Sequence, residues 1–581
     1  MCQRNLTILY GSETGTAQEV SENIWRESKR YHFRGFVKPL NDYDVSNLID
    51  EKLVLFVCST TGSGEEPENM KTFWKFLLRK NLPSESLSKV NFGIIGLGDS
   101  SYQKFNFVAK KLYKRLLQLG GTAILPIALC DDQHDLGIGA TLSPWIINFW
   151  NKINEIEPLP LGINPLPSSI KTTKWSVKRV QSNSSHVDIF GPEFFEETSS
   201  NGYVHVLENR RTTTEDHFQD VRLISFDRCN LKWNVGDVAY IRPRNSRQNI
   251  EQLFKIFNEH NLGIDVKDVI ILEDNDEMPA PVFLKKPLSM ELIASQFWDL
   301  SSRPKLRAFE VLSYNCENEL EKAKLQEFAS FEGQEELLNY VNRSKRTILE
   351  VLQDFPHATS KLTIDLLFEL FQPIKPRAFS IASSSHSNCL DILVAIVEYY
   401  TRLKVQRKGL CSNWLKGLKI GDQVRISIKK GTFQLPKEIT TPIIMVGPGT
   451  GLAVFRAILQ DAQFNENHFK DKFVLFFGCR YAKKDFHCKD ELIKMQNEGK
   501  LNLFCAFSRD SDHKVYVQDL IPREKSLLKN LILQRGGYFY VSGNSKNMPK
   551  DVRESLEKAL EDKDYVTSMV KSGRYQEETW S

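Results

Sequence analysis

The sequence predicts a multidomain α/β protein: a doubly wound parallel sheet, a proline-rich linker, a β domain interrupted by helices, and a second α/β domain. Three observations carry this expectation. Residues 1–155 alternate strand-like apolar runs with helical stretches, EIEPLPLGINPLPSS breaks the pattern with four prolines, and strand and helix alternate again from residue 438. At 581 residues the chain exceeds a single core and is expected to divide into about three to five units.

Bulk properties exclude several classes. The net charge of +4 is small for this length, so no global basic field points to nucleic acid or to an anionic membrane surface. Ten cysteines occur with no CxxC pair and no metal-ligand spacing, which favours reduced thiols in a cytoplasmic protein and no metal site. No apolar run reaches the roughly 18 residues that span a bilayer, and the N-terminus enters the first strand without a signal-peptide pattern.

The first domain, 1–155, opens with LTILYGSETGTAQEVSENIW at 6–25. Leu6, Ile8 and Leu9 fit a buried strand, while Val20, Ile24 and Trp25 repeat at helical spacing, so Gly11 to Thr16 is a strand-to-helix turn. Free amides at such a turn suit an anion, most often a phosphate. Two further loops follow strands, STTG at 59–62 and LGDSSYQKFN at 97–106, and ligands of open α/β sheets bind outside those strand ends. Tyr102 is placed to stack on a flat ring.

These three loops, in order and at domain-sized spacing, resemble the flavodoxin family. The resemblance implies an FMN whose phosphate is cradled by Ser12, Glu13, Thr14, Gly15, Thr16 and Ala17. It implies flanking contacts from Ser59, Thr60, Thr61 and Gly62, and from Leu97, Gly98, Asp99, Ser100, Ser101, Tyr102, Gln103, Lys104, Phe105 and Asn106, with Asp132 after a fourth strand. Thr61 stands where relatives often carry an aromatic.

After the linker, 156–199, short strands dominate from 200 and return from 376 to 435, on either side of a helical block at about 247–370. RAFSIASS, at 377–384, sets Arg377, Phe379 and Ile381 on one side of a strand and Ser380 on the other. With GLCSNWL at 409–415 it resembles the FAD site of the ferredoxin-reductase family. That implies a cofactor edge of Arg377, Ala378, Phe379 and Ser380, with Arg377 on the pyrophosphate, Phe379 against the isoalloxazine and Ser380 near its N5. Gly409, Leu410, Cys411 and Ser412 fall on the phosphates, and Lys345, beside Arg346, adds a basic contact.

The last domain, 438–581, begins IIMVGPGTGLAVFRAIL, a strand, a Gly-rich turn holding Thr450, and a helix. Ser508, Arg509, Lys514 and Tyr516, within nine residues, offer two cations, a hydroxyl and a phenol, a donor set suited to the 2′-phosphate of NADPH. The family resemblance extends the nucleotide contacts to Val515, Val517, Gln518 and Asp551. It also implies that Trp580 stacks over FAD where nicotinamide must arrive and that Glu578, usually Asp in relatives, assists hydride transfer. Ser542 occupies the position of a relatives' Cys.

Flavodoxin-like domain, linker, FAD-binding β-barrel with helical insertion and NADP-binding domain of the ferredoxin-reductase type: this order resembles the diflavin reductases. The resemblance implies electron flow from NADPH to FAD to FMN to a one-electron acceptor. The short linker, and a first strand beginning at residue 6, resemble the short cytosolic branch, which implies an iron-sulfur acceptor protein of the anamorsin type in cytosolic iron-sulfur protein assembly. Two rivals stand beside this reading. One is a general reductase of haem proteins that docks them on Glu65, Glu66, Glu68, Asp131, Asp132 and Asp135; the other is a non-catalytic flavin-binding interaction module.

Overall fold

The computed structural model describes residues 4–61, 64–102, 104–166, 173–181, 198–273, 277–278, 280–330, 332–401, 404–464 and 472–580. The chain divides into two compact units, Met1–Phe194 with Asn245–Lys375, and Phe195–Arg244 with Pro376–Ser581.

In the first unit, β1 (Thr7–Gly11), β2 (Val37–Pro39), β3 (Leu53–Ser59), β4 (Asn91–Gly98) and β5 (Thr122–Ala123) form a parallel sheet in the order β2-β1-β3-β4-β5. A sixth strand, β6 (Ala128–Asp131), also pairs with β4 in parallel. All five residues of β1 are buried, because helices cover both faces of the sheet. The helices α1 (Thr16–Arg30) and α4 (Gly139–Ile156) pack Ile24, Trp25, Phe149 and Trp150 on one face. On the other, α2 (Lys71–Leu77) and α3 (Phe107–Gln118) pack Phe73, Trp74, Val108 and Leu112. The chain leaves β1 towards β2 and leaves β3 towards β4, so the order reverses between these neighbours and opens a crevice at their C-terminal ends.

The same unit contains the helical block, including α5 (Arg247–Glu259), α6 (Leu306–Tyr314) and α7 (Ile364–Leu370), around Phe257, Trp298, Phe309, Leu352 and Phe368. Within the expected linker, Ser176–Arg179 is a strand paired antiparallel with Val269–Glu273, and Trp175 beside it is buried in the helical core. Apolar anchoring of that single ring gives this part of the segment a fixed register that its composition does not signal.

The second unit has an antiparallel sheet of β7 (Asn201–Arg211), β8 (Val221–Asp227), β9 (Val238–Ile241), β10 (Arg377–Ser380), β11 (Cys389–Ala395) and β12 (Gln423–Lys429). Its order is β10-β9-β12-β7-β8-β11, and a bridge from Ile381 to Ile392 brings the first and last strands together into a barrel. Helix α8 (Leu410–Gly417) puts Cys411 and Leu415 into the barrel core. The remaining sheet is wholly parallel, in the order β15-β14-β13-β16-β17, from β13 (Ile443–Val446), β14 (Phe473–Cys479), β15 (Asn502–Phe507), β16 (Tyr538–Asn544) and β17 (Tyr575–Trp580). Helices α9 (Leu452–Phe464) and α10 (Met548–Leu560) lie on its opposite faces, each contributing to a separate apolar cluster. Among the described residues, no helix is long and apolar enough to cross a membrane.

Candidate functional site

The three loops of the first sheet leave the ends of β1, β3 and β4. Gly15 caps α1 with φ +87°, a conformation that favours glycine, and no side chain caps the helix, the arrangement of a helix start that can accept an anion. The Gly15 N–H donates to Ser12 Oγ at 2.9 Å, the Ser12 N–H donates to Asn69 Oδ1 at 2.8 Å, and the Glu13 carboxylate accepts from the Glu68 N–H at 3.1 Å. Thr14 is exposed, Thr16 half-buried and Ala17 buried under the sheet. In the second loop Ser59 donates to Gly11 O, tying the loop to the first, and Thr60 accepts from the Val108 N–H. Thr61 folds into its own turn, its hydroxyl donating to Glu65 O at 3.1 Å; Gly62 lies outside the described residues.

The third loop is held by Asp99, which accepts from the Ser101 N–H and hydroxyl, and by Asp131, which accepts from the Ser100 N–H at 2.9 Å. Tyr102 keeps 36 % of its surface exposed, enough for a ring to stack, whereas Leu97 is buried. Asn106 is buried completely and donates to Cys130 O; a Cβ at Gly98 would lie 2.7 Å from its Oδ1, so Asn106 supports the loop from beneath. Lys104 packs over Gly64, Phe105 lies near the Lys110 ammonium, and the Asp132 N–H donates to Gly98 O; Gln103 lies outside the described residues.

In the second unit, β10 pairs Arg377 with Ile241, Ala378 with Tyr240, Phe379 with Ala239 and Ser380 with Val238. Phe379 packs partly into the barrel core and Ala378 is exposed. The end of β9 and the neighbouring β12 add Arg242 and Arg425. Desolvation, then the charges of Arg425 and Arg377, pushes the Arg242 guanidinium down to about 10, so three guanidinium groups lie near enough to act on one another. Arg377 also acts on Cys411, whose thiol is pushed up to about 12 by burial at the start of α8. Gly409 precedes Leu410 at the uncapped start of that helix, and the buried Ser412 hydroxyl accepts from the Val397 N–H at 3.0 Å. Guanidinium groups beside an open helix N-terminus fit a pyrophosphate. Lys345 belongs to the first unit, where Arg303 is among its neighbours.

Between β13 and α9 the chain turns through Gly447, Pro448 and Gly449 to Thr450, which is half-buried. A Cβ on Gly451 would lie 2.1 Å from Ser542 O, so only glycine lets this turn approach the end of β16. The Ser542 hydroxyl is buried and has no hydrogen-bond partner among the described residues, an orphaned polar atom at the strand ends that a bound polar ligand can satisfy. Ser542 lies in register with Glu578 on β17. Glu578 Oε1 accepts from Ser380 Oγ at 2.9 Å and Oε2 accepts from Thr432 Oγ1 at 3.3 Å, while desolvation raises its carboxyl above the usual range. Trp580, 37 % exposed, ends the same strand, and its carbonyl accepts from the Ser545 N–H at 2.8 Å.

After β15, Ser508 is buried, the Arg509 guanidinium donates to Ser508 O, and Lys514 and Tyr516 are exposed with Val515 half-buried between them. Val517 fills the core and Gln518 approaches Asp551 at 3.5 Å. The cations of this loop thus face solvent beside an anchored backbone.

Three family models match the chain, Flavodoxin over residues 8–145, FAD binding domain over 197–414 and Oxidoreductase NAD-binding domain over 445–554. Curated relatives named NADPH-dependent diflavin oxidoreductase 1 align along the full length. Those of Xenopus laevis and Mus musculus are 42% and 41% identical, covering 100% and 99% of both chains, and that of Schizosaccharomyces pombe is 33% identical over 100% of both. The chain belongs to the NADPH-dependent diflavin oxidoreductase family.

For a member of this family, sequence reasoning missed Arg242, Arg425 and Thr432. Arg242 stands in YIRPR directly after a strand, a signal in reach; the other two are exposed as partners only by strand pairing. Of the acidic side chains at the loop rim, Glu66 pairs with Lys111, Glu68 with Lys71 and Asp131 with two backbone amides, so much of that charge is spent internally. Among the described residues one group of metal-capable donors, His205, Asp227 and Cys229, converges within 4.8 Å. Its carboxylate already accepts from the His205 N–H.

Proposed function

We propose that this chain passes electrons from NADPH through FAD and FMN, singly, to an iron-sulfur protein of the anamorsin type, serving cytosolic iron-sulfur protein assembly in the cytoplasm. In this reading 1–155 holds FMN, 200–437 holds FAD around the helical insertion, 438–581 holds NADPH, and 156–199 connects them. The observation that carries it is the contact of Ser380 with Glu578 across 198 residues of sequence. The strand assigned to FAD and the terminal strand assigned to the nicotinamide meet there at hydrogen-bond distance.

Bound flavins and nicotinamide would supply two-electron hydride transfer and one-electron release. The chain's part is placement. Arg377, Arg242 and Arg425 hold a pyrophosphate; Ser380 and Thr432 fix both oxygens of Glu578, whose desolvation favours retaining a proton at that carboxyl. Trp580, at the end of β17, would cover a bound flavin and would have to move to admit the nicotinamide. Arg509 and Lys514 select the 2′-phosphate.

The test reduces the purified protein with NADPH and offers an oxidised iron-sulfur acceptor beside a haem protein at equal concentration. Faster reduction of the iron-sulfur protein is expected. Preference for the haem protein would transfer the assignment to the general reductase.

A further inference from the structure

Helix α9 follows the turn at Thr450 and Gly451 and reaches the barrel of the same unit with Arg456. The Arg456 side chain is 11 % exposed; its guanidinium donates through Nη1 to Ala382 O at 2.7 Å and to Asp391 Oδ2 at 2.8 Å, and through Nε to Glu491 Oε2 at 2.9 Å. Ala382 and Asp391 stand where the barrel closes, since the Ala382 N–H donates to Asp391 O at 2.7 Å beside the bridge of Ile381 with Ile392. Farther along α9, Gln460 accepts from the Ser384 N–H and Asp461 from the Ser384 and Ser385 hydroxyls. The helix is bonded to the segment that continues β10 beyond Ser380.

The opposite side of this arrangement is equally close. Ser380 donates to Glu578 on β17, Glu578 is in register with Ser542 on β16, and Gly451 meets Ser542 O where a Cβ would not fit. Chain and contacts form a ring that runs from Ser380 through Glu578, Ser542, the turn before α9 and Arg456 to Ala382. Phe455 and Leu459 share an apolar cluster with Val221 and Leu393 of the barrel, but apolar burial is non-directional and tolerates sliding. A planar guanidinium with acceptors on both barrel strands sets a register.

We infer that Arg456 is a positioning residue for hydride transfer, fixing the turn at the start of α9 against the strand that carries Ser380. The inference rests on the reading of β10 as the FAD strand and of that turn as a contact of the nicotinamide nucleotide, and deepens it. A hydride, one proton with two electrons, passes from NADPH to FAD and leaves NADP+ and reduced FAD, and a misplacement of about 1 Å can slow such a step on the order of a hundredfold. Arg456 acts through Ala382 and α9.

Holoenzyme is mixed anaerobically with NADPH over a range of concentrations, giving a Kd and a saturating rate of flavin reduction per bound FAD, for wild type, Arg456→Met, Arg456→Lys, Glu491→Gln and Ser380→Ala. Arg456→Met is expected to lower the saturating rate about tenfold or more with Kd near the wild-type value, and to weaken the charge-transfer absorbance that NADP+ produces with the reduced enzyme. Arg456→Lys keeps the charge without the planar fork and should lie between the two. Glu491→Gln leaves both bonds to the barrel and keeps the wild-type rate. An unchanged rate and charge-transfer band in Arg456→Met, with only Tm lowered, overturns the inference, as does an equal loss in Glu491→Gln. Should Arg456→Met fail to fold, a wild-type rate in Arg456→Lys overturns it instead. Ser380→Ala separates the two levels: a wild-type rate there removes the reading of the site and the inference with it, whereas a slow Ser380→Ala beside a fast Arg456→Met removes the inference alone.

Discussion

Glu369 is the perturbation with the best-defined magnitude. Its side chain, 1 % exposed at the end of α7, accepts from Arg26 Nη2 of α1 at 2.7 Å, Arg307 Nη2 of α6 at 3.3 Å and the Lys174 N–H at 2.6 Å. Burial pushes its carboxyl up, but Arg26, Lys174 and Arg307 and the backbone donor outweigh burial and hold it below the usual carboxylate range. Glu369→Gln keeps the shape and leaves two guanidinium groups, 8 % and 11 % exposed, without their shared counter-charge. Breaking a buried pair costs about 3–5 kcal/mol. Each arginine retains a second carboxylate, Glu22 at 3.7 Å or Glu310 at 3.0 Å, so about 3 kcal/mol is the expected loss. The sign with pH follows from the lowered folded value: the contribution is present above the unfolded value of about 4.3 and is lost as pH falls through the folded one. Urea unfolding of both proteins by tryptophan fluorescence, at pH 7 and in steps towards pH 3, reads this directly. The gap between wild type and variant should be largest at pH 7 and narrow in acid. A gap independent of pH, or below about 0.5 kcal/mol at pH 7, would refute the charge argument and leave Glu369 as packing.

Further outcomes follow from the second unit. Arg242→Gln removes one of three converging guanidinium groups, and should raise the FAD dissociation constant about tenfold, measured by ultrafiltration, if each contact resembles other hydrogen bonds to charged groups. Replacing Arg509 and Lys514 together by Ala should lower kcat/KM for NADPH by about tenfold or more while leaving NADH nearly unchanged, because a bare ribose has no use for either charge. Trp580→Ala should weaken discrimination against NADH and tighten NADP+ inhibition in steady-state kinetics. A variant altered only in thermal stability would leave the indole as packing.

The legible parts of this molecule are those written within one strand-turn-helix. Gly15 could be read as a loop residue because the apolar run before it and the helical period after it are local, and the φ of +87° at the helix cap agrees with the need for glycine. Asn106 shows a limit of reading by proximity: inside the third loop, its amide nitrogen donates to Cys130 O beneath Gly96 and Gly98, where glycine in the strand leaves room that this side chain fills, and no local motif signals that packing. Trp175 shows another. A proline-rich, polar stretch reads as a connector, but one indole buried in the helical block is enough to pin the strand that follows.

What remained illegible has a common cause: charge is compensated across the fold, whereas sequence motifs list only one side of each compensation. Arg377 was visible in its own strand, but the two guanidinium groups that share its environment arrive through the register of β9 and β12, and register is a tertiary quantity. Glu578 was visible at the terminus, but Thr432, 146 residues earlier, is what occupies its second oxygen.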